Sequence, residues 1–133
     1  MVTSASRDFL GKKLFRFKTV IFSGRVTKGA QKGAQLGFPT ANIKLDREIE
    51  SGIYAGQVEV GGKEYLAAVY VGRNRTVLES HLIDFRGDLY GQTVTVKVEK
   101  KIREDQSFES KDELLEAIQE DIKAVRDFYA KKP

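Results

Sequence analysis

Ile53-Tyr-Ala-Gly-Gln-Val-Glu-Val60, then Gly61-Gly62, then Glu64-Tyr-Leu-Ala-Ala-Val-Tyr-Val71 after a single Lys63, is the stretch on which the fold turns. Both runs are rich in β-branched and aromatic residues, and a Gly-Gly pair tolerates the positive φ that a tight hairpin turn demands, so strands are expected over 53–60 and 64–71. Downstream, Thr76 to Phe85 alternates, and Thr93 to Ile102 sets Val94, Val96 and Val98 on one face against Thr95, Lys97 and Glu99 on the other. Upstream, Phe15 to Val26 reads as a strand, and Pro39 to Leu45 as a short extended piece, because Pro39 biases Phe38 away from helix. Five or six strands joined by Gly-bearing turns predict a closed or nearly closed antiparallel barrel, since closure removes aggregation-prone edges. The period then changes. Ser110 followed by Glu113 is a capping-box pattern, and Leu114, Ile118, Ile122, Val125 and Tyr129 recur at steps of three and four, which predicts an amphipathic helix over 110–130 packed on the barrel.

Composition narrows the chemistry. The chain has 133 residues, 41% of them apolar, enough for one domain with a real core. Cysteine is absent and His81 is the single histidine, so disulfides, thiolate metal sites, thiol nucleophiles and two-His zinc sites are excluded. No apolar run reaches the ~18 residues of a membrane span, and the N-terminus lacks a signal-peptide pattern, so a soluble, cytoplasmic chain is expected. The net charge of +4 is unevenly spread: residues 1–32 hold eight basic groups against Asp8 alone. That end suits an anion, whether nucleic acid, a phosphorylated small molecule or an acidic protein surface; the plainer alternative is a solvated tail.

Three segments could carry chemistry. Gly29, Gly33 and Gly37, with Lys28 and Lys32 between and before them, would let backbone amides approach a polyanion, while Thr40 and Asn42 offer neutral oxygens for a hard cation such as Mg²⁺. The pattern is neither the Walker loop nor the dinucleotide fingerprint, and an ordinary surface loop is the alternative. In Glu79-Ser-His81 the carboxylate and imidazole share a strand face about 7 Å apart, so Glu79 is a candidate general base and His81 a candidate packing residue. Arg103, with Phe108 five residues later, could hold a planar polar ring, or Phe108 could simply staple the start of the helix.

Taken in order, Gly24-Arg-Val-Thr-Lys-Gly29, Leu36-Gly-Phe-Pro-Thr-Ala-Asn42, Gly52-Ile-Tyr54, Glu79-Ser-His-Leu-Ile-Asp-Phe85, Asp88-Leu-Tyr-Gly91 and Arg103 with Ser107-Phe108 closely resemble the riboflavin kinase family over about residues 22–128. The resemblance implies a mainly β fold, a six-stranded antiparallel Greek-key barrel with a C-terminal helix over 15–133, preceded by a basic extension or linker over 1–14. It implies transfer of the ATP γ-phosphate to the ribityl 5′-hydroxyl of riboflavin, with Mg²⁺. It implies Glu79 as the base. Gly29, Lys32, Gly33, Gly37, Pro39, Thr40 and Asn42 would meet the nucleotide, with Thr40 and Asn42 at the metal; Leu82, Asp84 and Tyr90 would line the adenine side; Arg103, Gln106 and Phe108 would face the flavin. In many bacteria such a domain is joined to one that adenylylates FMN to FAD. No such domain fits here, so a stand-alone kinase or a fragment is expected, with a FAD synthetase domain or partner meeting the basic N-terminal side. Neither nucleic acid nor membrane is an expected partner, because Glu79, Asp84 and Asp88 crowd the face an oligonucleotide would need positive. A flavin- or nucleotide-binding module with little turnover is the alternative on the same barrel. One departure from the family pattern is Arg75, which stands where proline is expected in a shortened segment from Gly72 to Leu78.

Overall fold

The computed structural model describes residues 19–28 and 37–131, together with the backbone of two short strands, Ala5–Arg7 (β1) and Lys13–Phe15 (β2), which pair antiparallel. The larger sheet comprises β3 (Val20–Arg25), β4 (Thr40–Lys44), β5 (Gly52–Val60), β6 (Lys63–Val71), β7 (Val77–Leu82) and β8 (Thr93–Arg103). A long helix, α1 (Lys111–Lys131), follows. The expected strand over 15–26 is therefore corrected: Phe15 ends β2, and the barrel strand begins at Val20. The expected glycine loop at Gly29, Lys32 and Gly33 lies outside the described residues.

The strands lie in the order β3-β8-β5-β6-β7-β4, all neighbours antiparallel. Within it β8-β5-β6-β7 is the Greek-key arrangement, a meander whose fourth strand returns beside the first. The remaining gap between β3 and β4 is bridged just beyond the end of β3, where Thr27 N–H donates to the Asn42 carbonyl at 2.7 Å. The barrel is thus nearly closed.

Alternation decides what fills it. Phe22, Ile43, Val58, Val69, Leu78 and Val96 point inward and are fully buried, as are Val94 and Val98. Residues of opposite parity, Ala55, Ala68 and Tyr70, face outward and meet Ile122, Val125, Phe128 and Tyr129 of α1. The helix begins with Ser110 as its N-cap, Glu113 N–H donating to Ser110 Oγ at 3.1 Å, while Glu113 Oε1 accepts at 3.0 Å from the N–H of Glu109, one residue before the position a capping box uses.

Two irregularities aim the barrel at the helix. The β5–β8 register shifts twice, leaving Glu99 and Ile102 as extra residues in β8. Such bulges bend a strand and redirect its side chains. Glu99 accepts from the Tyr129 hydroxyl at 2.7 Å, and Ile102 joins the apolar contact with α1. Arg75, in turn, takes a φ of 55° in the tight turn whose Arg75 N–H donates to the Gly72 carbonyl. A proline ring fixes φ near −65° and has no N–H, so the short turn and the absence of proline go together.

Candidate active site

The outward parity that places Ala68 and Tyr70 beneath the helix continues across β7 and β4. Tyr70 stands opposite Glu79, which stands opposite Asn42; Ala68 stands opposite His81, which stands opposite Thr40. Side chains directly opposite one another in antiparallel strands project to the same face. Three predicted site residues, Thr40, Asn42 and Glu79, are thereby gathered into one patch on the outer wall with His81, which was expected as a packing residue.

Within it His81 is buried and its Nε2–H donates to Glu79 Oε2 at 3.0 Å, while Nδ1 has no partner. Because the Glu79 carboxylate faces Nε2, that nitrogen is the one that carries hydrogen in the contact. The imidazole lies 4.4 Å from the Tyr70 ring and stacks on Phe38 at 6.3 Å. The Glu79 side chain remains 24% exposed, so one carboxylate oxygen is held by His81 while the group still reaches the surface. Thr40 Oγ1 donates to the Phe38 carbonyl at 2.9 Å, leaving its lone pairs unused by that bond. Asn42 is buried and its Nδ2 lacks an acceptor. A buried amide with an unmade bond is costly unless something outside the chain supplies the acceptor.

Beside this patch, between β8, the following loop and α1, lies a groove of about 640 Å³ lined by Arg103, Gln106, Phe108, Glu113, Glu116, Ala117, Glu120 and Asp121, among others. The three residues expected at the flavin side therefore share one concavity. Arg103 sits over the Phe108 ring at 5.7 Å. Its donors, however, are largely engaged within the protein: Nε and Nη2 donate to Asp121, both at 2.8 Å, and Nη1 donates to the Glu104 carbonyl at 3.0 Å. The guanidinium is a braced plane more than a free fork, and its charged form is favoured chiefly by the Asp121 hydrogen bonds. Tyr70 donates its hydroxyl to Asp121 Oδ2 at 2.6 Å. Burial first, and then the Asp121 charge, push the Tyr70 phenol well above its ordinary range, which fixes it as the donor.

Other expected positions lie elsewhere. Leu82 is 2% exposed and packs in the barrel interior, so its side chain does not line the outer patch; its N–H donates to the Pro39 carbonyl. Asp84, at a φ of 59°, lies two residues beyond the end of β7 and pairs with Arg126 of α1 at 3.2 Å. Tyr90 is exposed, and Lys28 Nζ lies 5.2 Å from its ring centre, near the Thr27–Asn42 bridge. Gly37 takes a φ of 94° just before the Phe38-Pro39 turn into β4, a conformation that suits glycine. Among the described residues no cluster of three or more His, Cys, Asp or Glu side chains could hold a metal.

Sequence reasoning missed Tyr70 and Asp121. Asp121 had a signal: it lies three residues after Ile118 and four before Val125, on the apolar stripe where a carboxylate has no reason to be unless partnered.

A concave groove opening beside a patch of convergent polar groups is the arrangement of a small-ligand site on a barrel wall. A family model described as riboflavin kinase (flavokinase) matches residues 17–129. A bifunctional riboflavin kinase/FMN adenylyltransferase of Escherichia coli strain K12 is 40% identical over 116 residues, 80% of this chain but 37% of its own length. Among solved structures, a Streptococcus pneumoniae chain described as a macrolide-efflux protein superposes with a TM-score of 0.73 at 32% identity, covering 80% of this chain and 38% of that one. The riboflavin kinase of Trypanosoma brucei superposes with a TM-score of 0.65 at 30% identity, covering 86% and 79%. The chain belongs to the riboflavin kinase family, and it spans little more than a third of the Escherichia coli relative's length.

Proposed function

We propose that the chain phosphorylates riboflavin: the ribityl 5′-hydroxyl attacks the γ-phosphorus of ATP, the new O–P bond forms as the bond to the β-phosphate oxygen breaks, and FMN and ADP leave. The observation that carries this reading is the position of Glu79, between the Thr40–Asn42 pair on one side and Tyr70 with the Arg103–Phe108 groove on the other. Phosphoryl transfer needs a nucleophile and a γ-phosphate brought together, with little covalent work for the protein. A flavin ring seated in the groove sends its ribityl chain toward Glu79, whose carboxylate accepts the hydroxyl proton.

Family membership implies ATP and Mg²⁺ chemistry. The residues fit such a group, because the available donors are hard oxygens and the unpaired Asn42 amide suits a phosphate oxygen. Thr40 and Asn42 would hold Mg²⁺ and phosphate oxygens, and the bound cation would neutralise charge on the transferring group. Gly29, Lys32, Gly33 and Gly37 would contribute to nucleotide binding. Tyr90 and Asp84 would flank the adenine, with Leu82 contributing from its backbone. The basic N-terminal residues would face an FMN-adenylylating domain of the kind that the Escherichia coli relative carries.

Incubation with riboflavin, ATP and Mg²⁺, followed by chromatography for FMN, tests the reading; absence of FMN from a folded protein that binds both substrates would leave only the binding-module alternative. Thr40→Ala and Asn42→Ala are each expected to raise the KM for ATP by about tenfold or more, the cost of one charge-assisted contact, while the melting temperature stays within a few degrees. Unaltered ATP kinetics in both variants would remove this pair from the site.

A further inference from the structure

We propose that Asp121 is a positioning residue that ties the groove wall to the Glu79 carboxylate, an inference that rests on the reading of Glu79 as the base and of the groove as the flavin side. Asp121 is 2% exposed. Its two oxygens accept three bonds, from Arg103 Nε, Arg103 Nη2 and the Tyr70 hydroxyl. A carboxylate on the buried stripe of a helix gives up hydration that only such partners can replace, and apolar packing at such a place is often no less stable. What an apolar residue could not do is hold two groups at once: the guanidinium that walls the groove, and the phenol whose ring lies 4.4 Å from His81. His81 in turn holds Glu79 Oε2 at 3.0 Å.

The connection is therefore short and continuous. From Arg103 through Asp121, Tyr70 and His81 to Glu79, each link is a hydrogen bond or a ring contact between side chains that are buried or half-buried. Asp121 acts through its neighbours and need not touch the reacting atoms. Its loss has two separable consequences. Arg103 loses the brace that keeps its plane over Phe108, which weakens flavin binding; Tyr70 loses its anchor, which loosens His81 and the carboxylate it holds, and small displacements near a reacting centre cost about ten- to hundredfold in rate.

Asp121→Asn keeps the size and removes the charge. It is expected to raise the riboflavin KM at least about tenfold and to lower kcat by a similar factor, with the KM for ATP within about twofold. Tyr70→Phe cuts only one arm: kcat falls by about three- to tenfold, while the riboflavin KM stays within twofold. Because His81 is the single histidine, its imidazole signals in the NMR spectrum of the untagged chain are unambiguous, and both variants should shift them. Unchanged kcat and riboflavin KM in a folded Asp121→Asn protein, or equal changes in the two substrates' KM values, would overturn the proposal. Should Asp121→Asn fail to fold, Tyr70→Phe decides: unaltered kcat and an unmoved His81 signal overturn it. If the parent protein forms no FMN, the kinase reading fails separately, and the His81 signals with fluorescence titration of riboflavin binding still decide the role of Asp121.

Discussion

Glu79→Gln should lower kcat by about 10² to 10⁴ fold while riboflavin and ATP still bind. The amide keeps the shape of the side chain and one acceptor, so the hydrogen bond from His81 Nε2–H can persist. What it cannot do is take the proton of the ribityl hydroxyl, which must then attack without assistance. His81→Gln gives the contrast. His81 is buried against Tyr70 and Phe38, and glutamine fills less of that space, so a loss of about 1 to 2 kcal/mol in stability is expected, with kcat reduced by about tenfold, the scale expected when Asp121→Asn loosens His81, and well short of the Glu79→Gln loss. Stopped-flow or steady-state kinetics on both variants, with urea titrations beside them, separate the roles. A folded His81→Gln protein without turnover, next to an active Glu79→Gln protein, would reverse the assignment of the base.

How much of this was readable beforehand differs between the fold and the site. Gly61 and Gly62 both take positive φ, as the two-residue hairpin required, and Val94, Val96 and Val98 are buried as their alternation demanded. Period-2 burial is a local property, so sequence spacing exposes it. The strand expected from Phe15 failed because aromatic and β-branched residues mark extended chain without saying with which partner it pairs: Lys13–Phe15 pairs with Ala5–Arg7, and the barrel strand starts five residues later.

The site was legible as a list of residues and less so as an arrangement. Glu79 and His81 could be set on one face from spacing alone, but that Asn42 and Thr40 stand opposite them depends on β4–β7 pairing, a contact about 40 residues apart in sequence that no local pattern encodes. Arg103 was expected to offer its donors to a ligand; the structure instead uses three of them on Asp121 and Glu104. That difference arises because the partner of Arg103 stands on α1, 18 residues further along the chain, where spacing within β8 does not reveal it.

Gly56→Ala should destabilise the barrel by about 3 kcal/mol, a large share of the 5 to 15 kcal/mol typical of such a domain. Gly56 does not occupy the left-handed region, so the constraint on it is space. A Cβ there would stand 2.4 Å from the Lys97 carbonyl oxygen and 3.0 Å from Val69 Cγ2. The first neighbour is backbone of β8, two residues before the Glu99 bulge, and cannot move aside as a flexible side chain would. Relief requires β5 and β8 to part, which would also disturb the bulges that face β8 toward α1. Gly62→Ala is the control: its φ of 84° strains an alanine, but nothing lies within 4 Å, so about 1 kcal/mol is expected. With slopes of about 1 to 3 kcal/mol per molar urea, Gly56→Ala should lower the unfolding midpoint by about 1 M or more, and Gly62→Ala by well under that. Equal midpoints for the two variants would mean that β5 and β8 can separate at little cost, and that the close approach at Gly56 does not hold the site-bearing end of β8 in place.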